Sequence, residues 1–171
     1  MSVPHDAERG TKPPPHGGAG SPAYLVGLLL SGRKVVVVGG GRVAARRVPK
    51  LVYAGAQVEL IAPDVLPALA ALAGDGTITW HQRSFQQGDL DGAWYAMAAT
   101  DSAEVNAAVV TEAESRHTFC VRADRADFGS AWTPATGETS GVTVAAVTTH
   151  DPLRARRIRD RFLAVVQDDG L

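Results

Sequence analysis

The sequence predicts an α/β fold, a doubly wound parallel sheet followed by a small C-terminal dimerisation segment and a helix. Short apolar runs of strand length alternate with helix-compatible stretches along most of the chain, as in parallel β-α-β units. The first run, residues 35–38, consists of valines and is followed at once by glycine. An apolar run without alternation is typical of a strand that is buried on both faces of a parallel sheet.

The individual elements follow from hydrophobic pattern and turn residues. Pro49 lies inside the first helix and is expected to kink that helix or to displace its start. The closing helix has a good start, with Asp151 as its cap and Pro152 at its first position. Predicted strands cover residues 35–38, 57–62, 77–80, 94–99, 118–122 and 142–148, and predicted helices cover 42–54, 65–73, 103–116 and the stretch from 152.

Composition limits the class of protein. Residues 1–22 are rich in proline, glycine and charge, and they are expected to form a disordered tail without a signal peptide. The formal net charge is −1, which argues against a nucleic-acid partner, and the apolar runs are too short to span a bilayer. Cys120 is the single cysteine, which excludes an internal disulfide and fits a reducing cytoplasm. We expect its thiol to be buried and structural.

A glycine-rich turn follows the first strand. Gly39, Gly41 and Ala44 match the pattern G-x-G-x-x-A directly after a strand and directly before a helix. Gly39 permits the tight turn, Gly41 lets a pyrophosphate approach the backbone, and Ala44 allows the helix to pack closely on the strand. The helix N-terminus offers free N–H groups to phosphates. In this context the pattern favours a Rossmann-like dinucleotide site over a turn that only packs the sheet.

The residue that selects the cofactor is expected after the second strand. In NAD-binding folds an acid at this place accepts hydrogen bonds from the ribose hydroxyls. Asp64 follows Ala62 and Pro63, and it either takes this role or caps a helix that begins at Val65. Because no arginine follows that would bind a 2′-phosphate, NAD is favoured over NADP as the cofactor.

Several stretches of the chain resemble one family. They are KVVVVGGGRVAARR, then AGAQVELIAPD, then AATDSAEVN after the fourth strand, and FCVRAD after the fifth. Over about residues 23–162 the sequence resembles the precorrin-2 dehydrogenase/sirohydrochlorin ferrochelatase family, the first module of siroheme synthase, with the closest likeness to high-GC actinobacterial members. The resemblance implies an NAD-dependent oxidoreductase that converts precorrin-2 to sirohydrochlorin. In many members Fe²⁺ is then inserted to give siroheme, a lyase activity.

The resemblance also implies a set of site residues. Asp124 falls on the aspartate that the family needs for dehydrogenation and that is implicated in chelation. No resident metal site is expected, since Fe²⁺ would be a substrate. The positions implied or predicted for NAD binding are Gly39, Gly40, Gly41, Arg42, Val43, Ala44, Pro63, Asp64, Thr100 and Asp101.

Two aspartates have competing interpretations. Asp124 stands at the carboxyl end of the fifth strand, where it is either a base for the reaction or a turn cap. Asp101, in the stretch TDSAE, either contacts the cofactor or caps the helix that begins near Ala103. The sequence leaves both choices open. One departure from the family also falls here, because Val121 and Arg122 follow the cysteine where members often carry asparagine.

The C-terminal part predicts a homodimer. Residues 142–148 would leave an exposed edge strand, which favours pairing or exchange with a second copy. The last helix is expected to bury Leu153, Ile158 and Phe162, while its arginines form a solvated face or steer a polycarboxylate substrate. His150 is expected at the surface or as a ligand in chelation. The expected domains are 23–125 for NAD binding, 126–150 for dimerisation and 151–171 for the helix, without the family's helical tail.

A second class of function competes with the enzyme. A non-catalytic NAD-binding module would sense redox state or escort a tetrapyrrole without turnover. A generic small-molecule dehydrogenase has less support, since the sequence shows no recognisable His/Lys/Tyr catalytic set. If the protein is an enzyme, replacing Asp124 should abolish turnover and leave NAD binding intact. If it is a non-catalytic module, the wild type itself should show no turnover.

Overall fold

A computed structural model describes residues 23–149 and 151–168. The predicted disordered tail over residues 1–22 and His150 lie outside these residues. The described residues form two compact units, one comprising 27–131 and the other comprising 132–149 and 151–168 together with 23–26. The domain bounds given above stay predictions. No helix within the described ranges is long and apolar enough to cross a membrane.

The first unit is built on a five-stranded parallel sheet with the strand order β3-β2-β1-β4-β5. β1 pairs with both β2 and β4, so the chain reverses its direction of winding beside β1. Ligands of open α/β sheets bind at such a reversal, outside the carboxyl ends of the strands. The strands are β1 (Lys34–Val38), β2 (Gln57–Ile61), β3 (Thr79–His81), β4 (Tyr95–Ala98) and β5 (Phe119–Arg122), and the helices are α1 (Arg42–Tyr53), α2 (Pro67–Gly74) and α3 (Ala103–Ser115).

The valine run of β1 is buried on both faces, as predicted. All four valines are at most 1% exposed. Val35 and Val37 pack with residues of α1 and α2 on one face, whereas Val36 and Val38 pack with residues of α3 on the other. Two apolar layers therefore hold the central strand, and the loops at its carboxyl end are carried on a rigid support.

Two details of the helices differ from the sequence-based expectation. α1 begins at Arg42 and continues through Pro49, so the expected displacement of its start is wrong. α2 begins at Pro67 rather than at residue 65. The cause is Pro67 itself, which suits the first helical position and holds Leu66 in extended backbone with ψ 150°.

The second unit contains a hairpin that the sequence did not predict. β6 (Ala135–Thr139) pairs antiparallel with β7 (Val142–Ala146). Ser140 and Gly141 join them, with φ values of 49° and 75°, which is the conformation that two-residue hairpin turns favour. The expectation that residues 142–148 lack a partner strand in their own chain is therefore wrong. Within the described residues this sheet has two strands, so the outer edges of β6 and β7 pair with no further strand.

Helix α4 (Pro152–Asp168) packs on the hairpin through a different stripe from the one expected. Ala155 is buried, Ile158 and Leu163 are half-buried, and an added Cβ at Gly137 would overlap the Leu163 side chain. Arg159 Nη1 donates to the Thr136 carbonyl at 2.6 Å, so a charged residue occupies part of the packed face. Leu153 and Phe162 are 61% and 57% exposed, so the predicted stripe is right only at Ile158.

Candidate functional site

The glycine turn lies at the carboxyl end of β1, and its first glycine is required by the backbone. Gly39 has φ 112°, a region that favours glycine. A Cβ at this position would also overlap the Ala99 carbonyl of the neighbouring strand end. Gly39 therefore allows the chain to leave β1 directly beside the end of β4, as the motif predicted.

Gly40 holds the loop that carries Asp64. A Cβ at Gly40 would overlap the Asp64 carbonyl and approach Val65 Cγ1 at 2.7 Å. The Leu66 N–H donates to the Gly40 carbonyl at 3.0 Å, so the loop after β2 is docked on the glycine turn. The sequence assigned Gly40 only to cofactor contact, whereas the structure gives it a packing role between two loops of the site.

Gly41 faces open space. A Cβ built on it would meet no atom of the described chain within 4 Å. Gly41 is also the N-cap of α1, it offers no side-chain cap, and the first turn of α1 contains no acidic residue. The N–H groups of Arg42 and Val43 thus stand at a helix start that is open to an anion, and this geometry fits a dinucleotide pyrophosphate. Ala44 is fully buried, which agrees with its predicted packing role.

Asp64 lies in the docked loop, with its side chain exposed. The capping interpretation is wrong, because α2 begins three residues later and its N-cap, Leu66, makes no side-chain bond. Asp64 and Pro63 therefore stand beside the glycine turn at the carboxyl end of β2. Their contact with the ribose remains a prediction.

The end of β4 is tied to α3 through Asn106. The Asn106 Oδ1 accepts from the Thr100 N–H at 3.0 Å and from the Thr100 hydroxyl at 2.8 Å, and its Nδ2 donates to the Thr100 carbonyl at 3.0 Å. Ser102 rather than Asp101 caps α3, with its Oγ accepting from the Val105 N–H at 3.3 Å. The capping interpretation of Asp101 is therefore wrong. Asp101 is exposed beside Thr100, and its cofactor contact stays a prediction.

Asp124 follows β5 and is fixed by two side chains. The Arg122 guanidinium donates to both carboxylate oxygens, from Nε to Oδ1 and from Nη2 to Oδ2, each at 3.1 Å. The Asn106 amide donates to Oδ1 at 2.9 Å. Partial burial tends to raise the pKa of the Asp124 carboxyl, but the hydrogen bonds and charge of Arg122, aided by Asn106, outweigh it and lower the pKa. Asp124 is therefore ionised at neutral pH.

Cys120 and His117 lie away from this chemistry. Cys120 is buried in β5, and burial raises the pKa of its thiol to about 12, so the structural interpretation fits. His117 is exposed and directly follows Arg116, the C-cap of α3. The predicted role of His150 falls on a residue outside the described ranges.

Sequence reasoning missed Asn106 and Arg122 as residues of the site. The signal for Asn106 was present, since it lies on the apolar stripe of α3 at helical spacing with Val109, Val110 and Ala113. A lone amide in such a stripe needs hydrogen-bond partners. Arg122 is only 5% exposed at the end of a core strand, where an unpaired guanidinium would be costly. Its partner could not be named from the sequence.

The parallel sheet and its glycine turn define a dinucleotide-binding protein of the Rossmann-like class. A family model described as "Putative NAD(P)-binding" matches residues 26–135, which is more than half of the chain. This match confirms the class of cofactor that the glycine turn predicted. Its span contains the glycine turn, the Asp64 loop and the strand ends that carry Thr100 and Asp124.

Similar proteins identify the family within this dinucleotide-binding class. The chain is 33% identical over 138 residues to a siroheme synthase of Baumannia cicadellinicola, covering 80% of this chain and 30% of that protein. It is 36% identical over 144 residues to a siroheme synthase of Chromobacterium violaceum, covering 84% and 31% respectively. A solved structure of SirC, precorrin-2 dehydrogenase, matches with a TM-score of 0.73 and 26% identity, over 83% of this chain and 70% of that one. The chain belongs to the precorrin-2 dehydrogenase/sirohydrochlorin ferrochelatase family, and it spans about 30% of the length of the siroheme synthases.

Proposed function

We propose that this protein oxidises precorrin-2 to sirohydrochlorin with NAD in siroheme biosynthesis. The observation that carries the proposal is the placement of an open glycine turn and a fixed carboxylate at one edge of one sheet. The turn follows β1 and the carboxylate follows β5, both at the carboxyl ends where open α/β sheets bind ligands. The similarity to siroheme synthases and to SirC supports this choice of reaction.

NAD is the cofactor that the residues fit. When bound, it supplies a two-electron acceptor at its nicotinamide ring. The backbone N–H groups of Arg42 and Val43 bind the pyrophosphate, and the Asp64 carboxylate accepts hydrogen bonds from the ribose hydroxyls. The same carboxylate repels a 2′-phosphate, and the loop from 62 to 66 contains no basic residue that would attract one. NAD is therefore favoured over NADP.

Asp124 acts on the tetrapyrrole. The oxidation removes two electrons and two hydrogens from precorrin-2, one hydrogen leaving with the electron pair and the other as a proton. An ionised carboxylate stabilises the positive charge that develops on the ring system and accepts the proton that is lost. Because the pKa of Asp124 is lowered, the carboxylate is in its charged form throughout the neutral range, although a lowered pKa makes it a weaker base.

Fe²⁺ insertion is a second proposed step of the same site. Within residues 23–149 and 151–168, no group of three or more His, Cys, Asp or Glu side chains could hold a metal ion. Iron would then pass to the tetrapyrrole with Asp124 as the nearby carboxylate, rather than from a resident metal centre. Adding Fe²⁺ to sirohydrochlorin in the presence of the protein tests this step, with wild type and Asp124→Ala compared against the spontaneous rate.

We propose a homodimer as the working form, in a reducing cytoplasm. Large apolar side chains of α4 are exposed, with Leu153, Phe162 and Val165 between 54% and 61%. Several large apolar side chains exposed on one helix are typical of surfaces that bind another protein. The lone, buried Cys120 supports the cytoplasm, where thiols remain reduced.

The experiment that tests the main proposal is an anaerobic assay. Purified protein is mixed with fresh precorrin-2, with and without NAD⁺, and the absorption spectrum is followed. We expect sirohydrochlorin to form only with NAD⁺, and Asp124→Ala to lose this oxidation while it still binds NAD⁺. A wild type that binds NAD⁺ but gives no sirohydrochlorin would favour the non-catalytic sensing or escort module.

A further inference from the structure

Asn106 is a buried amide with all of its hydrogen-bonding capacity in use. It is 0% exposed and lies on the apolar stripe of α3. Its oxygen accepts two hydrogen bonds, both from Thr100, and its nitrogen donates two, to the Thr100 carbonyl and to Asp124 Oδ1. A buried side chain in which every donor and acceptor is satisfied has one orientation, and it fixes the groups bonded to it.

The partners of Asn106 lie on two different strand ends. Thr100, one of the residues predicted to bind NAD, follows β4, and Asp124 follows β5. A single side chain therefore connects the cofactor side of the proposed site to the carboxylate that is proposed to act on the substrate. The distances of 2.8 to 3.0 Å leave little freedom for either loop to move alone.

Arg122 completes the arrangement from the other side. Its guanidinium binds both oxygens of Asp124, and Nη2 also donates to the Ala103 carbonyl in the first turn of α3 at 3.0 Å. Asp124 thus receives three donated hydrogen bonds from two buried side chains. Such bidentate, charge-assisted bonding fixes both the position and the charge of a carboxylate.

We infer that Asn106 is a positioning residue that holds Thr100 and Asp124 as one unit and, together with Arg122, keeps Asp124 ionised in a single orientation. The inference rests on the proposed function for its consequence in catalysis, but its structural part stands on the hydrogen bonds alone. Neither the family match nor the glycine motif assigns a role to this asparagine.

The charged groups near Asp124 determine how its carboxylate responds to a change of charge. Arg122, on β5, is the positive group bonded to it. Arg125 follows in the chain, with its guanidinium 3.9 Å from the centroid of the Phe128 ring. Asp101 and Glu104, before and within the first turn of α3, are exposed. From α3 the group that reaches Asp124 is the neutral Asn106 amide, so a negative charge placed there would meet the carboxylate directly.

The first test uses the fact that Asn106 is the only asparagine of the chain. Selective ¹⁵N-asparagine labelling gives one side-chain amide signal in the protein without cofactor. We expect this amide to exchange slowly and its chemical shift to follow a titration with a midpoint below the usual aspartate range of about 4. The titration should vanish in Asp124→Ala. A rapidly exchanging amide that does not titrate would overturn the inference.

The second test replaces the donor by an acceptor of nearly the same shape. In Asn106→Asp the new carboxylate still accepts from Thr100 but faces Asp124 with a second negative charge, so one of the pair retains a proton at higher pH. We expect the acid limb of kcat/KM to move up by about one pH unit or more. An unchanged acid limb in a folded Asn106→Asp protein would contradict the inference.

The matched control is Glu112→Gln on the same helix. Glu112 is also buried, but its carboxylate binds the Gly88 and Leu90 N–H groups and Arg116, away from Asp124. We expect this variant to lose stability while the acid limb stays unmoved, which separates positioning from a general loss of packing. Failure of the proposed function can be distinguished from failure of this inference. A wild type without turnover would still show the titration of the Asn106 side-chain amide.

Discussion

At the scale of single residues, three neighbouring glycines do three different things. Gly39 carries a positive φ and touches the end of β4, Gly40 lies under the Asp64 loop, and Gly41 faces open space. The sequence motif requires small residues at these places. It does not say which neighbouring group leaves no room for a side chain at each position. The distinction becomes testable because only one of the three leaves room for a methyl group.

Gly40→Ala and Gly41→Ala should therefore separate stability from binding. In Gly40→Ala the new Cβ displaces the loop of residues 63–66, and we expect a loss of about 2 kcal/mol in unfolding free energy, with weakened NAD⁺ binding. In Gly41→Ala the methyl group meets no protein atom, so stability changes by less than about 1 kcal/mol while NAD⁺ affinity falls about tenfold or more. Denaturant unfolding and calorimetric titration measure both. Equal stability losses would refute the assignment of Gly40.

The charge of Arg122 sets the pH range in which Asp124 is ionised. Because the folded-state pKa of Asp124 is depressed, its ionised form contributes stability above the unfolded pKa of about 4, and this contribution is lost as pH falls through the folded pKa. Arg122→Gln removes the charge and keeps an amide. We expect the pKa of Asp124 to rise and the acid limb of kcat/KM to move up by about one pH unit.

Arg125→Gln is the matched control for this pH profile. Its guanidinium lies over the Phe128 ring, so its removal should leave the acid limb within experimental error of wild type. A profile that moves equally in both variants would mean that general electrostatics, rather than the bidentate pair, governs the titration.

At the scale of elements, each helix of the first unit is followed by a residue with positive φ, but the residue is not the same in all three. Gly55 follows the C-cap of α1 and Gly76 follows that of α2, both at φ 77°, whereas His117 follows the C-cap of α3 at φ 55°. After α3 the His117 N–H binds the Glu114 carbonyl and the Thr118 N–H binds the Ala113 carbonyl, the pattern of a Schellman motif. A histidine in this left-handed position carries strain that glycine avoids.

His117→Gly should stabilise the protein by about 1 kcal/mol, because it relieves the left-handed strain at the end of α3. Gly76→Ala is the reciprocal variant, since a Cβ there meets no atom within 4 Å and only the positive φ of 77° opposes it. We expect it to destabilise by a similar amount. Thermal unfolding measures both, and a less stable His117→Gly would show that the imidazole makes a contribution of its own.

The parallel sheet was largely predictable at this scale, and the hairpin was not. Each strand of the sheet begins and ends within two residues of its expected position, because apolar runs and glycine turns mark β-α-β units locally. β6, with the sequence ATGET, has too few apolar residues to signal a strand. It forms because Gly137 and Arg159 let α4 pack on it, and such a contact between distant residues leaves no local pattern.

In the candidate site, too, features marked by local sequence were predictable and contacts between distant residues were not. The glycine turn, Asp64 and Asp124 could be named because each is marked by its place at a strand end. The bonds from Asn106 to Thr100 and Asp124 could not, because they require knowing that β4 and β5 are neighbours and that α3 packs over both. The capping interpretations of Asp64 and Asp101 failed for a local reason, since Leu66 and Ser102 precede the helices directly.

At the scale of the whole molecule, the chain combines a cofactor-binding sheet with a hairpin-and-helix unit that exposes apolar side chains. If the exposed face of α4 joins two copies, Phe162→Asp should convert the protein to a monomer, while Asp160→Asn, on the same helix, should not. Light scattering coupled to size-exclusion chromatography measures the mass of each. A wild type that is monomeric at micromolar concentration would contradict the proposed homodimer.

The central claim is that the glycine turn and Asp124 serve one reaction at one edge of the sheet. The most direct measurement is the stoichiometry of that reaction, with NADH and sirohydrochlorin quantified together after anaerobic mixing of wild-type protein, precorrin-2 and NAD⁺. We expect one NADH for each sirohydrochlorin formed, and neither product from Asp124→Ala, which still binds NAD⁺. Sirohydrochlorin without matching NADH, or NAD⁺ binding without either product, would contradict the account.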